Sequence, residues 1–196
     1  MTDDTQRKSV PVWSPDGTKL LFWAGQEESS TIYVANVDGS GVTEIIQGED
    51  STWSPDGQKI AFTAIRDNIS SLYTLTMGDT HLLRLTHDIE TVESAPAWSP
   101  DGSLIAFART IYRNMQYSYG IFIVPVDGSA LPVQVAETAH GTPAPVWDPT
   151  GTYLVFSNPP GMAVKRPADG VITLVRADGV EQTMVTEGQS PRWCPQ

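Results

Sequence analysis

The chain has 196 residues, 40% of them hydrophobic, and a formal net charge of −11. That length buries a real core, while the acidic balance argues against nucleic acid, whose binders carry a clustered basic face. No stretch approaches the roughly eighteen uninterrupted apolar residues of a membrane-inserting helix, and the single cysteine, Cys194, excludes an internal disulfide framework.

Residues 1–8 read as an N-terminal tail, and the stretch through Trp13 lacks the apolar centre of a signal peptide. From residue 9 the chain falls into units of similar layout. The first, about 9–50, starts with a strand (SVPVW, 9–13), turns through Ser14-Pro15-Asp16-Gly17 and runs into an apolar strand, LLFWA (20–24). A third strand, IYVANV (32–37), reaches a tight turn at Asp38-Gly39, and VTEII (42–46) closes the unit. The second unit, about 51–94, repeats this as WSPDGQKIAF (53–62), LYTLTM (72–77), Gly78-Asp79 and LLRLT (82–86). The third, about 95–142, carries WSPDGSLIAF (98–107), GIFIVPV (120–126), Asp127-Gly128 and PVQVA (132–136). The fourth, about 143–189, carries WDPTGTYLVF (147–156), ITLVRA (172–177), Asp178-Gly179 and QTMVT (182–186). A surplus inner strand, SPRWCPQ, occupies 190–196.

Successive tryptophans (Trp13, Trp53, Trp98, Trp147, Trp193) are 40, 45, 49 and 46 residues apart. A period of this length, with several short strands per unit, marks a β-propeller blade. Each turn has a mechanism. Proline pre-sets φ at its second position, aspartate bonds the local backbone, and glycine takes the left-handed position without steric cost. The second strand is continuously apolar rather than alternating, as a sheet covered on both faces requires. No segment shows a helical period. The expected fold is all-β: a propeller of four complete four-stranded antiparallel blades over residues 9–193, plus one extra inner strand and no helices. Asp148 and Thr150 replace Ser and Asp in the fourth copy, which predicts a weaker turn there.

These residues, W-S-P-D-G, an apolar strand ending in Phe, then I-Y-V and D-G-S, resemble the TolB-type propeller repeat over essentially the whole chain. Similar repeats occur in the propeller domains of prolyl-oligopeptidase-like peptidases. The resemblance implies a periplasmic or cell-surface setting if the chain is part of a longer precursor, and a cytoplasmic one otherwise. TolB-type rings are usually six-bladed, whereas four blades are counted here. Four blades could close alone with the surplus strand packed elsewhere, but an open arc would bare two apolar blade faces, which favours assembly with a second copy or with a missing remainder of a longer propeller. A dimer of two arcs would form an eight-bladed ring, with Trp193 and Cys194 at the junction.

Chemistry is sparse. There is no G-x-S-x-G elbow, His81, His87 and His140 lack ligand spacing, and the repeated turn aspartates stand singly. We therefore expect no enzyme, no metal and no cofactor. Binding belongs on the segments that escape the repeat. Residues 108–120 are either a binding loop or an extended hairpin packed on its own blade. They carry Arg109, Tyr112, Arg113, Tyr117 and Tyr119, the aromatic-plus-arginine mix of contact hot spots, and Lys165 and Arg166 lie on the long segment 157–170. Two readings of function follow: a non-catalytic scaffold that binds a protein or other macromolecule through this variable face, or a gating or regulatory domain of a larger enzyme such as a peptidase.

Overall fold

Strand breaks in this chain are set by four copies of one hydrogen-bonded turn. In the first, the Gly17 amide donates to the Ser14 carbonyl at 2.9 Å, the Ser14 hydroxyl donates to Asp16 Oδ1 at 2.6 Å, and the Thr18 amide donates to the same oxygen at 3.0 Å. Ser54–Asp56 and Ser99–Asp101 repeat it with the same 2.6 Å contact. Gly57 shows why glycine is needed, since its φ is +68°, a region costly for any residue with a Cβ. The fourth copy is not weakened as expected. Asp148 now accepts from Thr150 Oγ1 at 2.5 Å and from the Thr152 and Tyr153 amides at 2.7 Å each, so the carboxylate and hydroxyl have exchanged places within the same frame.

A computed structural model describes residues 7–25, 29–79, 81–139, 141, 143–158, 170–187 and 191–192. Trp193 and Cys194, expected at an assembly junction, lie outside the described residues, as does His140. The described residues contain no α-helix and form four antiparallel sheets. In the first, β1 (Arg7–Lys8) and β2 (Val12–Trp13) both pair with β3 (Lys19–Gly25) and together act as its innermost strand, followed by β4 (Thr31–Asn36) and β5 (Thr43–Gln47). The second runs β6 (Glu49–Trp53), β7 (Lys59–Arg66), β8 (Ile69–Thr76) and β9 (Leu82–Arg84). The third is β10 (Thr91–Trp98), β11 (Leu104–Arg113), β12 (Gln116–Pro125) and β13 (Val133–Thr138). The fourth is β14 (Val146–Trp147), β15 (Tyr153–Asn158), β16 (Val171–Arg176) and β17 (Gln182–Glu187). The result is an all-β, TolB-like propeller of four blades, whose strands pair in chain order except that β1 and β2 both pair with β3.

The core lies between blades. Leu21 and Ile32 of the first blade pack with Trp53, Ile60 and Phe62 of the second. Ala61, Leu72 and Leu85 of the second meet Trp98, Ile105 and Phe107 of the third. Ala106, Ile121 and Val135 of the third meet Trp147, Leu154 and Phe156 of the fourth. Neighbours along a strand therefore face opposite blades: Ile60 and Phe62 look back, and Ala61 looks forward. This explains why the second strand of each unit is apolar throughout. An indole buried in such a seam removes about 200 Å² from water, worth on the order of 4–5 kcal/mol before entropy is counted. Trp53, Trp98 and Trp147 are 7%, 8% and 7% exposed, whereas Trp13 is 61% exposed. Trp147 also donates its indole N–H to the Ala97 carbonyl at 3.0 Å, tying the inner strands of two blades.

Two outcomes follow from the turns. Replacing Gly57 by Val should lower stability by about 1–2 kcal/mol, because an ideal Cβ there meets only Pro15 Cδ at 3.5 Å and the penalty is conformational rather than steric. A thermal melt followed by circular dichroism checks this, and an unchanged midpoint would contradict the turn assignment. The Ser14 hydroxyl and the Thr18 amide hold the Asp16 carboxyl down at about 2, and Asp56 and Asp101 are lowered by the same serine contact. Acids with depressed folded values stabilise the fold above the unfolded value near 3.9 and lose that contribution as pH falls through the folded value. Urea midpoints should therefore hold steady above about pH 5 and decline from about pH 4 to pH 2, less steeply in Asp56→Asn.

Candidate functional site

The segment that breaks the repeat is a hairpin, not a loop. Strands β11 and β12 stay paired through ten rungs, from Leu104↔Pro125 to Arg113↔Gln116. They are joined by a two-residue turn in which Asn114 and Met115 have φ of 51° and 61°. Positive φ at both central positions matches the right-handed twist of flanking strands. The second blade uses the same device at Asp67 and Asn68, with φ of 53° and 61°, but there pairing stops at Arg66↔Ile69. In the fourth blade the outermost described rung is Asn158↔Val171, which corresponds by repeat position to Arg109↔Gly120. The third-blade hairpin thus continues four rungs past that level.

Those rungs carry an aromatic ladder. Tyr112 and Tyr117 are a cross-strand pair with ring centroids 4.8 Å apart, and Tyr117 stacks on Tyr119 at 6.3 Å. All three share the strand face that lower down, at Ala106, Ala108 and Ile121, packs against the fourth blade. Past the last described rung of the fourth blade, Tyr117 is 63% exposed, Tyr112 and Val92 (paired with Thr110) are exposed, Tyr119 is half-buried, and Met115 at the tip is 88% exposed. The opposite face is tied down. Ile111 packs into the seam with the second blade, and Arg113 pairs with Glu90 at 3.1 Å. Both charged groups of that pair are exposed, so it contributes little. The Tyr112 amide donates to the Glu90 carbonyl at 2.9 Å, anchoring the hairpin to the connection between blades.

Arg109, expected on the binding surface, is 5% exposed. Its guanidinium donates from Nε and Nη2 to the two Glu93 carboxylate oxygens at 3.0 and 2.8 Å, and from Nη1 to Asp88 at 2.8 Å. It lies over the rings of Phe107 and Phe122, 5.4 and 4.8 Å from their centroids. Burial pushes the Glu93 carboxyl up, against the Arg109 and Thr91 contacts that hold it down. A planar fork suits this site because it satisfies two carboxylates at once while its face covers aromatic carbon. Arg109 is a fastener that ties β11 to its cross-strand partner Glu93 on β10 and to Asp88 in the connection before it, rather than a contact residue. Lys165 and Arg166 lie outside the described residues.

The structure places Tyr112, Tyr117 and Tyr119, singled out from the sequence, on one face together with Val92 and Met115, which the sequence did not single out. Val92 carries no signal, since its face depends on pairing with β11. Met115 was legible only as the centre of a two-residue turn, and Asn-Met lacks the glycine that usually marks one.

A second concavity, of about 420 Å³, lies where the inner strands converge, lined by Trp13, Trp53, Trp98 and Trp147 with the turn prolines. Its one lining carboxylate among the described residues, Asp148, is already engaged in its turn. Among the described residues no three His, Cys, Asp or Glu side chains are grouped to hold a metal.

A family model described as TolB beta propeller domain matches residues 2–196. No protein of curated function matches the chain. Among solved structures, a protein assigned to TolB from Agrobacterium tumefaciens is 24% identical with a TM-score of 0.66, over 95% of this chain and 84% of that one. A puromycin-hydrolyzing peptidase from Mycobacterium tuberculosis is 18% identical at 0.71, over 91% of this chain but only 32% of the peptidase. A chain of a nidogen/laminin complex is 15% identical at 0.67, over 92% of this chain and 65% of that one. At these identities the structural likenesses carry the fold alone. With the repeated turns, the seams and the family match together, the chain belongs to the TolB β-propeller domain family.

Proposed function

We propose that this chain is a non-catalytic propeller scaffold that binds a protein partner through the outer hairpin of its third blade, and that further blades of the same repeat complete its arc. The observation that carries the binding reading is the ladder of Tyr112 and Tyr117, exposed, with half-buried Tyr119 beside them on a paired scaffold past the last described rung of the fourth blade. Tyrosines with few rotatable bonds give large contact area at low entropic cost. Val92 and Met115 extend the patch with apolar surface, and the strand pairing beneath it leaves little to order on binding. The occurrence of a propeller of this fold in a nidogen/laminin complex agrees with a protein-binding role. Exposed Trp13 supports the incomplete arc.

A second reading is favoured by the likeness to a third of a peptidase: the chain is a gating domain of a larger enzyme. A parent reading frame that continues into a hydrolase fold selects it. In either reading the hairpin is the contact surface.

The double substitution Tyr112→Ala with Tyr117→Ala tests the site. Tyr117 is largely exposed and Tyr112 about half exposed, and their ring pair is lost together, so stability should fall by only about 1–2 kcal/mol and the fold should persist. Proteins retained from a source extract by immobilised wild-type chain and confirmed by direct titration should bind at least roughly tenfold more weakly to the double variant, about 1.4 kcal/mol. Equal binding by both would place the contact surface elsewhere.

A further inference from the structure

We infer that residues 190–196 dock on the fourth blade as an inner strand, with Trp193 seated on Val155 and Ile172. The tryptophan expected at a junction between copies then completes a seam inside one chain. This goes beyond the binding reading and does not depend on it.

The three seams share one kind of receiving pair. Trp53 packs with Leu21 and Ile32, Trp98 with Ala61 and Leu72, and Trp147 with Ala106 and Ile121. The first residue of each pair precedes the phenylalanine of its strand. The second precedes that phenylalanine's cross-strand partner, in the pairs Phe22↔Tyr33, Phe62↔Tyr73 and Phe107↔Phe122. In the fourth blade Phe156 pairs with Thr173, so Val155 and Ile172 hold the two places. Leu154 and Phe156 point into the seam with the third blade, which turns Val155 to the opposite face. Val155 and Ile172 are only 7% and 8% exposed, yet neither belongs to a hydrophobic cluster of the described residues.

Burial on that face fades outward. Val185 is the bulge residue of the fourth strand, skipped between Ile172↔Thr186 and Thr173↔Met184, as Val135 is skipped in the third blade. Leu85 holds that place in the second blade, its amide bonded to the Leu72 carbonyl. Leu85 and Val135 are 3% and 5% exposed, and each shares a cluster with the second strand of the following blade, whereas Val185 is 57% exposed. A lone inner strand brings no second strand with it. It therefore covers Val155 and Ile172 and leaves Val185 bare.

The segment has the reach and the spacing for this. Thr31↔Gln47 and Val171↔Glu187 are the same rung in the first and fourth blades, and Trp53 and Trp193 each lie six residues past it. The proline two residues before Trp98 and Trp147 recurs as Pro191. Pro96 and Pro145 are buried and Pro191 is half-buried, while Pro11, on the blade with no described predecessor, is exposed. Pro191 thus rests against a blade.

Urea unfolding of Trp193→Ala, Ile172→Ala and the double variant, followed by circular dichroism at a low and a high protein concentration, tests this. Each single variant should unfold at less urea than wild type. The double variant should unfold close to Trp193→Ala, because an isoleucine already uncovered loses little when shortened, so the two losses do not add. Should Ile172→Ala fail to fold, Val155→Ala takes its place in the cycle, since Ala61 and Ala106 show that alanine is native at that position. An unchanged midpoint for Trp193→Ala, or losses that simply add, overturns the inference. So does a gap between wild type and Trp193→Ala that widens with concentration, for the tryptophan would then serve a second copy.

Discussion

Everything in this fold depends on one contact made three times: the tryptophan at the end of each inner strand, buried with its phenylalanine against the face of the blade before it. A single blade is a small twisted sheet with two apolar faces, and each face must be buried against another element. Stacking solves the problem for every interior face, which is why Ile60, Ile105 and Leu154 are wholly enclosed. The same logic exposes what stacking leaves over. The first blade has no predecessor in the described structure, and its tryptophan is the one that stands in solvent.

The local devices serve that contact. Each Ser-Pro-Asp-Gly turn reverses the chain within four residues, so that the strand carrying the phenylalanine runs back beside the strand carrying the tryptophan. The exchange at Asp148 and Thr150 shows that the turn needs one carboxylate and one hydroxyl, not a fixed order of them. The fourth-strand bulge then turns one apolar side chain into the next seam. Above the third seam the pattern changes purpose. Pairing of β11 with β12 runs on, the face that was core becomes surface, and alanines give way to tyrosines. A buried guanidinium fixes the base of this extension. The Arg109–Glu93 pair has both partners buried, with its hydrogen bonds made and aromatic carbon beneath, so it specifies position more than it adds stability.

Much of this was legible in the chain itself. The tryptophan spacing, the turn residues and the doubly apolar strands led to the propeller, the blade count and the strand order, because each is a local signal with a local cause. The tyrosines of the third unit were found as residues that escape the repeat. What was hidden is set by pairing across distance. Arg109 looks like its surface neighbours in sequence, and only the fold brings Glu93 and Asp88 to it. Val92 joins the aromatic face because of its rung opposite Thr110. The split of Trp13 from Trp53, Trp98 and Trp147 is invisible in four nearly identical motifs, since it reflects which blade precedes each and not the motif.

Equilibrium unfolding in urea of Trp98→Ala and Trp13→Ala, compared at equal concentration, tests the seam account most directly. The account predicts a loss of about 3–5 kcal/mol for Trp98→Ala, whose indole fills a seam, and less than about 1 kcal/mol for Trp13→Ala. Equal losses at the two positions would contradict it.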